Sequence, residues 1–119
     1  MKTFVFSTIA LAILCAIVIW NCFYIKDVCN ELSEQADNIN SISDAEEVDK
    51  LEELWEKNKF LICISVPHKE TDELERNLIL LKTKIKTQNE MEFKETLSLV
   101  LWSIDEIKIH GIAKADNVF

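Results

Sequence analysis

Residues 4–25 read FVFSTIALAILCAIVIWNCFYI, 22 positions without a charge. At about 1.5 Å of rise per residue, a helix of that length spans the roughly 30 Å hydrocarbon core of a bilayer once. A secretory signal would carry a shorter apolar core followed by small residues at a cleavage site. Here the run ends in the bulky Trp20, Asn21, Cys22, Phe23, Tyr24 and Ile25, and Ala10-Leu11-Ala12 comes too early. Neither Cys15, after Leu14, nor Cys22, after Asn21, has the small residue that a lipoprotein site needs before it. The run therefore reads as an uncleaved anchor. Trp20 and Tyr24 stand where an aromatic belt would meet one interface.

Orientation rests on few charges. Lys2 and the α-amine flank one side; Lys26, followed by Asp27, Glu31, Glu34 and Asp37, flanks the other. This balance favours the N-terminus in the cytoplasm and the polar part outside. The expected location is the cell membrane, with a single pass.

The sequence divides into an anchor, residues 1–25, and an acidic domain, residues 26–119. The second part holds all 21 Asp and Glu and 12 of the 13 Lys and Arg, for a net charge of −9. Its 94 residues suffice for one small domain. Nucleic acid is not an expected partner, because phosphate contacts need a basic face. One Gly and one Pro in the whole chain favour long regular elements over turn-rich β structure.

Helical spacing continues past the run through Ile25, Cys29, Leu32, Ala36 and Ile39, which predicts one continuous helix to about Asn40. Ser43-Asp44-Ala45-Glu46 reads as a capping box opening a second helix with Val48, Leu51, Trp55 and Ile62 on one face. Phe60–Val66 suits a strand as well as a buried helical turn; the charged LEELWEKNK before it favours helix. Pro67 ends that helix. A third carries Leu74, Leu78, Leu81 and Ile85, and a fourth carries Phe93, Leu97, Val100, Leu101, Ile104 and Ile107. Thr87 or Asn89 would cap the fourth, and Gly111 is placed to stop it. The expected fold is all-α: a single N-terminal transmembrane helix continuing into a small antiparallel, up-down four-helix bundle.

Candidate chemistry is sparse. No nucleotide fingerprint, phosphate loop, HExxH or GxSxG is present, and a phosphate cradle is hard to build with one glycine. The 11 acids between Asp27 and Glu56 follow helical rather than calcium-loop spacing. His68 and His110 would both fall at the membrane-proximal end of an up-down bundle, with Glu70 and Asp72 near His68. The bland reading is a polar first turn and a helix C-terminus. Trp55 and Trp102 read as core anchors. Cys15, Cys22 and Cys29, spaced by seven, share one helix face, which is ordinary for small apolar residues and also compatible with packing against a second copy. No catalytic residue, metal ligand or cofactor site is expected.

The residues that look familiar are the N-terminal anchor, LEELWEKNK with Trp55, His68 and Glu70 before a Leu-rich helix, LKTKIKTQN, and the ending Asn117-Val118-Phe119. Over nearly its whole length the chain resembles an uncharacterised family of small bacterial membrane-anchored proteins, domain of unknown function 4363. The resemblance implies a membrane location and brings no activity, cofactor or catalytic residue.

Two functional expectations follow. The first is a non-enzymatic interaction or structural module of the cell envelope. Its partners would be the bilayer, through residues 4–25, an unidentified membrane or envelope protein, and a second copy of the chain. The alternative is a membrane-anchored sensor that binds a small ligand between its helices. One surface is singled out. Seven residues from Phe60 to Val66, with only Ser65 polar, cannot all face inward on a helix. Phe60, Leu61 and Ile64 are therefore the expected partner or membrane contact.

Overall fold

The structure, a computed structural model, describes residues 2–118, with the side chains of 2–112. Four helices follow one another: α1 (Lys2–Asp37), α2 (Ala45–Ser65), α3 (His68–Thr87) and α4 (Glu90–Val118). The described residues contain no strand, so Phe60–Val66 resolves as helix through Ser65. Neighbours in sequence pack side by side, and α4 closes the ring against α1. The result is an up-down bundle on a rod 68 Å long and about 20 Å across, with extents of 68 × 21 × 18 Å.

One helix serves two environments. The N-terminal part of α1 contains an 18-residue window of mean hydropathy 2.5, none of it buried, and qualifies by length and composition as a single membrane span. The helix then runs through the 25/26 boundary without a break. Ile25, Val28, Cys29, Leu32 and Ala36 are buried in the bundle core. Ile25, Cys29, Leu32 and Ala36 are spaced 4–3–4, with Val28 beside them, which puts them on one stripe. The opposite helices meet this stripe with Val48, Leu51, Trp55 and Ile62 from α2, Leu74, Leu78 and Leu81 from α3, and Phe93, Val100, Ile104 and Ile107 from α4. Apart from Ile85, Leu97 and Leu101, which are partly covered at the edge, the expected stripes fill the core.

The helix ends differ from the sequence reading in instructive ways. Ser43 and Glu46 form no capping box. Asp44 occupies the N-cap of α2 but turns its carboxylate back into the loop, where Oδ2 accepts from the backbone N–H of Asn40 (2.7 Å) and Ser41 (3.1 Å). Ser43 shares a hydroxyl–hydroxyl bond with Ser41. At the next corner Val66 is extended (φ −115°, ψ 142°), as a residue before proline should be, and Pro67 is the N-cap of α3. α3 ends on Gln88 with φ 55°, a left-handed cap made without glycine. Of the two capping candidates for α4 it is Asn89 that acts, its Oδ1 accepting from Glu92 N–H at 3.1 Å.

Two core expectations need correction. Gly111 does not stop α4, which continues to Val118. The glycine is required for a close approach: a Cβ built there would lie 2.8 Å from Ile25 Cγ2. Helical pairing with α1 thus outweighs the conformational freedom of glycine. Trp102 is no core anchor either; half of it is exposed. It lies two residues from both Val100 and Ile104, about 200° around the helix, which turns it away from the buried stripe.

Candidate functional site

The sequence-selected surface lies where α2 comes back to α1. Two side-chain bonds fix the level. Tyr24 Oη donates to Asn58 Oδ1 at 2.6 Å, and Asn21 Nδ2 donates to Ser65 Oγ at 2.6 Å. Asn21 and Tyr24 belong to the uncharged run, so the last two turns of α2 are level with its C-terminal end. Asn58, Ile62 and Ser65 face inward at helical spacing. Leu61 and Ile64 necessarily face outward, beside Phe60. Phe60 is 76% exposed, Leu61 43% and Ile64 64%. Trp20 stacks on Tyr24 at the same level, with ring centroids 5.6 Å apart.

The two histidines share one end of the bundle, but among the described residues only His110 makes charge contacts there. His110 sits between two carboxylates: Glu70 Oε1 from α3 is 3.3 Å from its Nε2, and Glu106 Oε2, one turn earlier on α4, is 3.6 Å away. His68 is exposed and takes no part. Donor atoms of Glu70, Glu106 and His110 all lie within 4.8 Å of one another. Mixed carboxylate and imidazole donors suit first-row divalent ions in general, but an imidazole tying α3 to α4 accounts for the same closeness. Glu106 was not singled out by the sequence reading. Its i, i+4 spacing to His110 was the available signal.

Between α2 and α3 lies an open groove of about 370 Å³, lined by Trp55, Leu78, Glu52, Lys59, Glu75 and Lys82. Charge bridges it. Trp55 Nε1 donates to Glu75 Oε1 at 3.3 Å, Lys59 pairs with the same carboxylate, and Lys82 pairs with Glu52 at 2.8 Å. The carboxylates raise the pKa of both lysines above the usual value, through hydrogen bonding first. Glu47, by contrast, faces α1: Gln35 donates to its side chain and backbone oxygens, and that bond with the one from Lys50 lowers its pKa. Lys84 reaches α4 and Glu92. Lys82 thus reaches α2 through Glu52, with Asp49 adding a weaker pull, while Lys84 reaches α4.

Polar groups inside the bundle are satisfied. Asn77 Nδ2 donates to Ser103 Oγ at 2.8 Å, joining α3 to α4. Thr71 and Thr96 return their hydroxyls to carbonyls of their own helices. No buried side-chain nitrogen or oxygen among the described residues lacks a partner. Cys29 is fully buried, and burial pushes its thiol up to about 12. A thiol held neutral in this way is a poor nucleophile.

The family follows from this same stretch of chain. Residues 19–118 match the family described as "Domain of unknown function (DUF4363)". The chain belongs to this family. The match begins at Ile19, just before the Asn21 and Tyr24 ties, and takes in the junction and all four bundle helices. No curated protein and no solved structure matches the chain.

Proposed function

We propose that this DUF4363 protein is a non-enzymatic, single-pass membrane protein whose acidic bundle stands outside the cytoplasm and acts as an interaction or structural module of the cell envelope. The observation that carries this reading is the shared helix: α1 supplies both the candidate membrane span and one wall of the bundle core. A ligand-gathering domain on a flexible tether would need no such continuity. A domain that must present a fixed face at a fixed height benefits from it. The absence of any sequence motif for nucleophilic or phosphoryl chemistry supports the non-enzymatic part.

Crosslinking in native membranes, from exposed positions on the bundle, tests the reading. A discrete adduct with one membrane or envelope protein is the expected result; adducts with none would count against it. Orientation is tested by reporter cysteines at Ser41 and Asn89 in a chain otherwise free of cysteine. They should label from outside intact cells, and labelling only after lysis would reverse the topology. The α2–α3 groove favours the second reading, a small-ligand sensor, which predicts a melting shift with a polar or zwitterionic metabolite and its loss in Trp55→Phe or Glu75→Gln.

A further inference from the structure

The outward face at the end of α2 is apolar, and its height is fixed by two bonds to α1. Asn58 is tied to Tyr24 and Ser65 to Asn21. Phe60, Leu61 and Ile64 lie between those two ties. They are level with Asn21–Tyr24, the closing residues of a run that contains no charge. A 22-residue helix is about 33 Å long, only slightly more than the hydrocarbon core it would cross, so those residues fall at or just inside its boundary. The stacked Trp20 and Tyr24 mark the same depth, because such rings favour the headgroup level. One turn further from the membrane on the same outward face of α2 stands the exposed Lys57, where an ammonium could reach lipid phosphate.

We infer that the bundle is seated in the bilayer: Phe60, Leu61 and Ile64 dip into the boundary between hydrocarbon and headgroups, and lipid is what covers this face. The inference rests on α1 being the membrane span. It adds that the bundle is flush with the membrane on the α2 side. Trp20 and Phe23 of α1 are exposed at the same level. Exposed apolar residues elsewhere, such as Ile79 in the middle of α3 and Met91 at the start of α4, lie away from that level. A water-facing Phe, Leu and Ile at this spot would be costly, and burial in the bilayer removes the cost.

The full-length chain in vesicles of phosphatidylcholine and phosphatidylglycerol tests this with no other protein present. Benzoylphenylalanine is placed at Phe60, at Ile64, at Phe23 in the span, and at Met91, which is 71% exposed at the far end of the bundle. After irradiation, lipid adducts at positions 60 and 64 should match those at 23 and exceed those at 91 roughly tenfold, the preference that burial of one large apolar side chain provides. Ile64→Glu should reduce the adduct at position 60 toward the level at 91. Lipid adducts at 23 with none at 60 and 64 would overturn the seat and leave the anchor standing. Chain-to-chain adducts at 60 would overturn it in favour of a second copy. No lipid adduct at 23 would overturn the anchor, and the seat with it.

Discussion

The two halves of α1 are one helix with opposite surfaces. From Phe4 to Trp20 the apolar residues go all the way round and most of them stay exposed, including Phe4, Phe6, Leu11 and Trp20. From Ile25 to Ala36 they shrink to one stripe, every member buried, and acids take the other side. Among the described residues the first half is mostly exposed, and its whole circumference is apolar, as a membrane span requires. The second half packs against α2 and α4 and exposes only polar groups to water. The helix backbone itself does not register the change. An unbroken helix of this kind transmits the angle of its first half directly to the bundle.

The largest effect should come from breaking the helix between the two halves. Asp27 is exposed, so Asp27→Pro removes a backbone hydrogen bond and forces a kink without emptying the core. Bundle stability should fall by about 3 kcal/mol or more, read as a lowered midpoint in chemical denaturation. A milder pair sharpens the contrast. Leu32→Ala should cost about 2–5 kcal/mol, because Leu32 is 1% exposed in the core. Leu11→Ala, 61% exposed in the first half, should leave the same midpoint almost unmoved.

Gly111→Ala comes next. Its new methyl meets the stiff, β-branched Ile25, and the expected loss is about 1–3 kcal/mol. The double variant Gly111→Ala, Ile25→Val should recover part of that loss if the contact is the cause. The smallest effects belong to the paired charges. Lys59 and Lys82 have raised pKa values, so their contribution is complete below the ordinary lysine range and disappears as pH rises through it. Glu47 has a lowered value, so its contribution holds above the ordinary carboxylate range and is lost as pH falls. A pH series of melting temperatures should show a broad plateau between those limits. Lys82→Gln should trim its alkaline edge, and added salt should weaken it.

Much of this was legible in the sequence because it depends on period alone. The stripe 25, 29, 32, 36 and its counterparts around Trp55, Leu78 and Ile104 are set by a 3.6-residue repeat that a reader can count. The exposure of Leu61 and Ile64 followed from the same count. What the sequence hid were contacts between elements. Gly111 looked like a stop because glycine commonly ends helices, and only the approach of Ile25 shows why it sits inside one. Trp102 looked like core because it is large and apolar, although its angle on the helix already pointed away. The capping box at Ser43 failed because the helix starts one residue later, with Asp44 at the N-cap, and the Ser43 hydroxyl bonds Ser41 instead. Asn21 was the most informative residue left unused: a lone amide in an uncharged run needs a partner, and Ser65 is that partner.

α1 runs from its uncharged half into the bundle as a single unbroken helix. Amide hydrogen exchange of the unaltered full-length chain in lipid nanodiscs tests it most directly, over the backbone from Trp20 to Leu32. Continuous protection is expected across Asn21–Cys29, as slow as that of the bundle core on either side of Leu51 and Ile104. A fast-exchanging window of even one helical turn between Asn21 and Cys29 would reveal a hinge and contradict it.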